Sequence, residues 1–218
     1  MPDVVAGEAT LIDTVFADGT PVFYAVIVPE DFDPRVQYPV FLALPPGQQD
    51  PGLTYNISNG WYLNEAVARG WVAVSLAAPD GVLWFQGAEQ YMKEFLDSTL
   101  AWLRPEGGLF HIGGVSNRGR STFRILGILP NLFASVTVYP GYPTDAGAAA
   151  LVDVPDIPFT LWVGGGEAPW IGPVESVRDQ LEALGKRVVY QVVPGAPHVI
   201  PELTDGVEIF DVLDAARP

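Results

Sequence analysis

Six short apolar runs alternate with longer segments of helical spacing, and this alternation leaves the chain few possible folds. The runs are residues 38–44, 71–78, 109–113, 134–139, 158–163 and 187–193. Residues 38–44 and 71–78 are continuous apolar runs, which are typical of strands buried on both faces of a sheet, and the other four runs also predict strands. Helices are predicted in between and after them, at residues 60–69, 88–103, 117–127, 174–184 and 207–216. Such alternation predicts a mostly parallel sheet with helices on both faces.

The start of the chain follows a different pattern. Residues 9–16 and 21–29 are β-branched and aromatic runs separated by the turn sequence ADGT, which predicts an antiparallel hairpin. No repeat or linker divides the 218 residues, so we expect one α/β domain covering residues 1–218, with residues 148–150 in a surface loop or short helix. Ligand sites in such sheets lie beyond the carboxyl ends of the strands.

The charge of the chain restricts its partners. Eleven Lys and Arg residues stand against 26 Asp and Glu residues, which gives a net charge of −15. A field of this sign repels nucleic acids and anionic membranes, so we expect neither as a partner. The chain has no cysteine and two histidines, which excludes disulfides and thiolate sites and disfavours a metal centre. We therefore expect no cofactor and no metal.

The location and assembly of the protein are less constrained. The first residues lack the basic and apolar regions of a signal peptide, and no run of 18 apolar residues occurs. This predicts a cytoplasmic protein; a secreted protein whose leader has been removed is the alternative. Both a monomer and a homodimer fit the sequence.

The most specific motif is LFHIGGVSNRG at residues 109–119, in which a predicted strand runs into a tight turn and then a helix. A nucleophile elbow requires this arrangement, with small residues around a strained serine. Ser116 is therefore the candidate nucleophile, with Gly114 and Gly119 as its small neighbours. The alternative is a serine that only caps the following helix.

His198 follows the last predicted strand and is the candidate base, against the alternative of a histidine in a surface loop. His111 lies inside the strand that leads to the elbow, where we expect a structural role. The acid must lie between nucleophile and base and follow a strand. Glu167, in GGGEAPW, is the first carboxylate after residues 158–163, and Asp145 and Asp179 are its competitors.

An acyl-transfer enzyme also needs donors for the oxyanion. We expect the backbone N–H of Asn117 and the amide of Gln48 to supply them, with Gly47 allowing a close approach in the loop PPGQQD. An ordinary turn is the alternative for this loop. Trp84, Phe85 and Trp170 follow predicted strands and are candidates for a substrate pocket, although single aromatic residues more often belong to a core.

Several of these segments together are similar to a known group of enzymes. The elbow GVSN and the phrases FASVTVYPGYP, VGGGEAPW and PGAPH resemble α/β-hydrolase esterases of the polyhydroxybutyrate depolymerase and feruloyl esterase group, over residues 38–203. The resemblance implies the α/β-hydrolase fold, and the few residues that remain in the chain predict little or no lid domain. It also implies Ser116 as nucleophile, Glu167 as acid and His198 as base. Arg118 departs from the family's glycine, and Glu167 stands where aspartate is usual.

Taken together, the motifs predict a serine esterase that works through an acyl-enzyme on a small or polymeric ester. Several alternatives remain at this point. The same three side chains would serve a polyester depolymerase, a feruloyl esterase, a thioesterase or a peptidase. A binding protein that keeps the fold without catalysis is an alternative from another class.

Overall fold

A computed structural model describes residues 1–47 and 49–217, and its centre is one eight-stranded sheet within those residues. In chain order the strands are Ala9–Val15 (β1), Pro21–Ile27 (β2), Val40–Leu44 (β3), Val72–Leu76 (β4), Phe110–Gly114 (β5), Phe133–Val138 (β6), Phe159–Gly164 (β7) and Val188–Val193 (β8). Their spatial order is β1-β2-β4-β3-β5-β6-β7-β8.

The sheet is antiparallel at its start and parallel elsewhere. β1 pairs with β2 and β2 with β4 in antiparallel fashion, and every later pair is parallel. The predicted α/β class, with an antiparallel hairpin leading into a parallel sheet, is therefore confirmed. Because parallel strands end at the same edge, the loops after β5, β6, β7 and β8 lie together.

The helices are Pro51–Ile57 (α1), Leu63–Arg69 (α2), Met92–Glu94 (α3), Asn117–Ile128 (α4), Asp145–Ala150 (α5), Ala168–Ala183 (α6) and Val207–Ala215 (α7). They cover both faces of the sheet. On β3, Val40 and Leu42 belong to the apolar cluster that includes buried residues of α4 and α6. Phe41 and Ala43 belong to the opposite cluster, with α2 and α7. Alternate side chains of a strand point to opposite faces, so every residue of β3 is buried.

Three predicted helices differ from the structure. Helix formation before β4 begins at Pro51 rather than at residue 60, because the Asp50 carboxylate accepts the Leu53 N–H at 2.8 Å and caps α1. A π-helical segment then joins α1 to α2. Helix α6 begins at Ala168, six residues before the predicted start, and accommodates Pro173.

The third difference concerns residues 88–103, where one amphipathic helix was predicted. The structure has a 3₁₀ turn, the short α3 and a π-helical segment over Phe95–Thr99. The N–H of Leu100 donates to the carbonyl of Phe95 at 2.9 Å, and both side chains are buried. The wider turn keeps both residues on the core face, so packing overrides the regular helical period.

No helix in the described ranges is long and apolar enough to cross a membrane.

Candidate active site

Ser116 lies between the end of β5 and the start of α4, in a conformation that few residues adopt. Its φ is 62° and its ψ is −127°, and the only other non-glycine residue with positive φ in the described ranges is Asp80. Such backbone conformations cost about 1–3 kcal/mol and occur mainly at functional sites. The N–H of Ser116 donates to the carbonyl of Pro140 at 2.7 Å, which fixes the turn against the loop after β6. The Ser116 side chain makes no capping hydrogen bond to α4, so the capping alternative is wrong.

The turn is tight enough to require glycine on both sides. A Cβ on Gly114 would lie 2.6 Å from the carbonyl oxygen of Arg118, and a Cβ on Gly119 would lie 2.5 Å from that of Pro140. Both contacts are with backbone atoms, which cannot move aside without opening the turn. Gly119 therefore provides the close approach between α4 and the loop after β6.

Arg118 occupies the position at which the sequence departs from the GxSxG pattern. Its side chain is 4% exposed, and burial lowers the pKa of Arg118 to about 10, so it keeps its charge at neutral pH. The start of α4 accommodates this side chain while Ser116 retains the strained conformation.

Glu167 and His198 are brought together from the loops after β7 and β8. His198 Nδ1 lies 3.5 Å from Glu167 Oε2, and each side chain is 29% exposed. Nδ1 is buried and has no hydrogen bond in the described part of the chain, so a closure of a few tenths of an ångström would complete this contact. Because Nδ1 faces the carboxylate, Nε2 is the ring nitrogen available to another group. No hydrogen bond joins Ser116 to His198 among the described residues.

The three glycines before Glu167 explain how these loops approach each other. A Cβ on Gly164 would lie 2.2 Å from the carbonyl oxygen of Pro197. The N–H of Gly165 donates to the carbonyl of Val193 at 2.7 Å, and the N–H of Gly166 donates to that of Ala196 at 2.9 Å. The glycine run therefore packs directly on the backbone that carries His198.

The first turn of α6 places an aromatic ring beside the imidazole. The N–H of Trp170 donates to the carbonyl of Glu167 at 2.8 Å, so both residues belong to one turn. The Trp170 and His198 ring centroids are 4.7 Å apart, and the Tyr142 ring lies 5.2 Å beyond Trp170. Such contacts hold the histidine ring in one orientation and cover one of its faces.

The competing acids and the second histidine lie elsewhere. Asp145 is exposed in the first turn of α5. Asp179 is exposed on α6 and pairs with Arg178 at 2.6 Å. His111 is buried in β5, where its Nδ1 is 2.7 Å from Ser135 Oγ, as expected for a structural residue.

One of the two predicted oxyanion donors lies within the described residues. Asn117 is the first residue of α4, where backbone N–H groups have no partner within the helix. Gln48 lies outside the described residues. Gly47 beside it has a φ of +85° and is exposed. Gln49 Oε1 accepts the N–H of Ala78 at 2.6 Å, which attaches this loop to the end of β4.

The predicted aromatic pocket is corrected in one respect. Trp84 is 0% exposed and belongs to the core, so it cannot contact a ligand in this conformation. Phe85 is partly exposed, and the guanidinium carbon of Arg120 lies 4.7 Å from its ring centroid. Sequence reasoning missed Arg120. The available signal was its spacing, since a residue four after the serine lies one helical turn away.

No three His, Asp or Glu side chains of residues 1–47 and 49–217 converge in a way that would hold a metal ion.

Comparisons with known proteins support the architecture. No family model matches the sequence, and no curated protein matches it either. A solved structure of a thermostable esterase is similar over 97% of the chain at 17% identity, with a TM-score of 0.74, and the chain spans 64% of that protein. An S-formylglutathione hydrolase from Agrobacterium tumefaciens is similar over 99% of the chain and 97% of its own length, at 14% identity and a TM-score of 0.76. The sheet order, the turn at Ser116 and these likenesses together show that the chain has the α/β-hydrolase fold.

Proposed function

We propose that the protein is a serine hydrolase that cleaves carboxylic esters through an acyl-enzyme on Ser116. The observation that carries the proposal is the backbone of Ser116, strained at φ 62° and ψ −127° at the carboxyl edge of a parallel sheet. Strain of this kind persists only where the surrounding structure maintains it, and it presents the hydroxyl above the sheet.

His198 serves as the base because Glu167 faces its Nδ1 and leaves Nε2 free. Nε2 takes the Ser116 hydroxyl proton as Oγ attacks the ester carbonyl, and the carbonyl electron pair moves to the oxygen. The N–H of Asn117 and the amide of Gln48 hold this oxyanion. The histidine proton then passes to the departing alkoxide, which leaves as an alcohol.

The second step restores the enzyme. His198 takes a proton from a water molecule, and the resulting hydroxide attacks the acyl-enzyme carbonyl. Collapse of this intermediate breaks the bond to Ser116 Oγ, which regains the proton from His198, and the carboxylic acid is released. Glu167 stabilises the imidazolium in both steps without itself becoming protonated.

The test is hydrolysis of p-nitrophenyl esters from acetate to decanoate, together with labelling by a fluorophosphonate probe. We expect turnover and labelling in the wild type and neither in Ser116→Ala. Ser121→Ala is the matched control, because Ser121 lies on the same helix and its hydroxyl donates to the carbonyl of Asn117 at 3.1 Å. An inert wild type, or a Ser116→Ala variant that keeps full activity, would overturn the proposal in favour of a binding protein.

The ester class is the finer part of the proposal, and matched substrates test it. An ester, a thioester and an amide with the same acyl group separate an esterase from a thioesterase and a peptidase. The similarity to a protein named as an esterase supports the first of these. Release of soluble products from a polyester film, or of ferulate from its methyl ester, tests the two specialised activities that the sequence resembles.

A further inference from the structure

Arg120 lies one helical turn from Ser116, and two aromatic rings hold its guanidinium. The backbone N–H of Arg120 donates to the carbonyl of Ser116 at 3.2 Å. The guanidinium carbon is 4.7 Å from the ring centroid of Phe85 and 5.1 Å from that of Tyr142. Aromatic contacts at these distances fix the plane of the guanidinium but leave its N–H donors unused.

Arg120, like Arg104 and Arg118, forms no ion pair within residues 1–47 and 49–217, although the chain is acidic. Twenty-six carboxylate side chains are available, and ion pairs among the described residues use six other arginines, namely Arg35, Arg69, Arg124, Arg178, Arg187 and Arg217. Arg120 Nε is buried without a hydrogen-bond partner within the described ranges. Arg124, one turn further along α4, pairs with Glu89 at 3.0 Å. Arg124 therefore has the carboxylate partner that Arg120, on the same helix, lacks.

The same aromatic row connects Arg120 to the catalytic edge of the sheet. Tyr142 contacts Arg120 on one side and Trp170 on the other, and Trp170 contacts His198. The contacts with Tyr142 and the backbone hydrogen bond to Ser116 therefore connect the cationic Arg120 to both candidate catalytic loops. This positive charge is local, since the net charge of the chain is −15.

We propose that Arg120 determines substrate specificity by binding a carboxylate on the substrate, so that the preferred substrates are esters that carry a free carboxylate. This inference rests on the proposed function of Ser116. A planar guanidinium presents paired N–H donors that match the two oxygens of a carboxylate, and the aromatic contacts preorganise it for that contact. The net negative charge of the chain repels anions, so recognition of a carboxylate requires a local positive charge such as that of Arg120.

The test compares esters that differ only in charge. On the acyl side, the p-nitrophenyl half-ester of adipic acid is compared with p-nitrophenyl methyl adipate. On the alcohol side, 4-acetoxybenzoate is compared with its methyl ester. We expect the wild type to prefer the carboxylate member of at least one pair, and the pair that shows the preference identifies the side of the ester that faces Arg120.

Variants of Arg120 then test whether this side chain causes the preference for the carboxylate substrate. We expect Arg120→Gln to lower kcat/KM for the preferred carboxylate substrate about 10- to 100-fold, chiefly through KM, and to leave the neutral ester within about twofold. Arg120→Lys should retain part of the preference, because lysine keeps the positive charge but lacks the paired N–H donors of the guanidinium. Arg124→Gln is the matched control on the same helix and should leave both substrates unchanged.

The outcomes separate this inference from the proposed function. If neutral esters are hydrolysed and neither pair shows a carboxylate preference, or if Arg120→Gln lowers both members of a pair equally, Arg120 has only a packing role. If no ester is hydrolysed, the proposed function fails. The binding of adipate, measured by calorimetry, then tests by itself whether Arg120 binds a carboxylate. Adipate binding that Arg120→Gln weakens about tenfold would support the site, and no binding to the wild type would overturn it.

Discussion

The interior of the sheet and its carboxyl edge each contain one of the two histidines, in opposite environments. His111 lies within β5, 1% exposed, with Nδ1 2.7 Å from Ser135 Oγ and the Trp71 ring 4.9 Å away. His198 lies beyond β8, 29% exposed, with Glu167 3.5 Å from its Nδ1. The first histidine is enclosed and bonded to a neutral hydroxyl, whereas the second faces a carboxylate and solvent.

The difference separates a buried structural histidine from the histidine of the proposed active site. Burial, with a smaller contribution from the positive charge of Arg217, lowers the pKa of His111 to about 4, so its ring is neutral at physiological pH. The buried strands thus hold a histidine that does not ionise, while the loops after β5, β7 and β8 hold polar groups with unused hydrogen-bonding capacity. Within the strands, the buried hydroxyls of Ser75 and Thr137 also have no hydrogen-bond partner among the described residues. What distinguishes the edge is therefore the strained Ser116 and the contact between Glu167 and His198, on which the proposed site rests.

The largest expected effect is on catalysis, and it separates the two histidines. We expect His198→Asn to lower kcat/KM for a p-nitrophenyl ester by about 10⁴-fold, because the base is lost, and Glu167→Gln to lower it by about 10³-fold. His111→Asn, in contrast, should retain the wild-type kcat in the folded fraction and lower only the Tm.

Steady-state kinetics on each variant, with circular dichroism to measure the folded fraction, check this prediction. An equal loss of kcat in His111→Asn and His198→Asn would show that the interior and the edge are not separate in function.

Glycines in the two regions provide the next contrast. A Cβ on Gly164 would meet the carbonyl oxygen of Pro197 at 2.2 Å, and a Cβ on Gly113 would meet that of Thr137 at 2.7 Å. We expect each Gly→Ala change to lower the free energy of unfolding by about 2–4 kcal/mol through strain. Only Gly164→Ala should also lower kcat, by about tenfold, because it displaces the loop that carries His198.

Urea unfolding and kinetics on the same preparations measure the two effects. Gly172→Ala is the control, since nothing lies within 4 Å of a Cβ at that position of α6. It should raise the free energy of unfolding by up to about 1 kcal/mol through helix propensity. If Gly113→Ala lowers kcat as much as Gly164→Ala does, the distinction between the regions fails.

The pH dependence of stability tests the interior alone. In the unfolded chain His111 takes up a proton as pH falls below about 6.5, whereas in the folded protein it does so only near pH 4. Because the unfolded state binds this proton first, the folded protein loses stability as pH falls from about 6.5 to 4, by about 3 kcal/mol in total.

The measurement is urea unfolding at intervals between pH 7 and pH 4, for the wild type and for His111→Asn. The variant should have a lower stability at pH 7 and a smaller decline as pH falls. An unchanged decline in the variant would assign the pH dependence to other groups.

The difference between the interior and the edge of the sheet also explains which features could be predicted from the sequence. Strands β3 and β4 were predicted closely because each is a continuous apolar run, and both are buried along their whole length. Residues 88–103 were predicted as one helix because their apolar spacing fits a helix. The π-helical segment Phe95–Thr99 arises from packing of Phe95 and Leu100 against the core, which local spacing does not encode.

At the edge, chain order identified the residues that contact one another. Glu167 and His198 each follow a parallel strand, so their proximity followed from topology. Arg120 was missed because its environment combines Phe85 and Tyr142 from separate loops. Trp84 was misassigned, since its neighbour Phe85 is partly exposed while Trp84 itself is buried, and nothing in the local sequence distinguishes them.

The smallest expected effect bears on the strain at the edge. Ser116→Gly should raise the free energy of unfolding by about 1 kcal/mol, because glycine adopts φ 62° without the steric penalty of a Cβ. Ser121→Gly, five residues further along α4, should lower it by about 1 kcal/mol, since it places glycine inside a helix and removes the hydroxyl that donates to Asn117. Chemical unfolding of both variants measures the two shifts. Opposite signs at two serines of one segment would show that the backbone at the edge is held in a conformation that opposes stability, as expected where geometry serves catalysis. A loss of stability in Ser116→Gly would instead mean that the turn at Ser116 is unstrained.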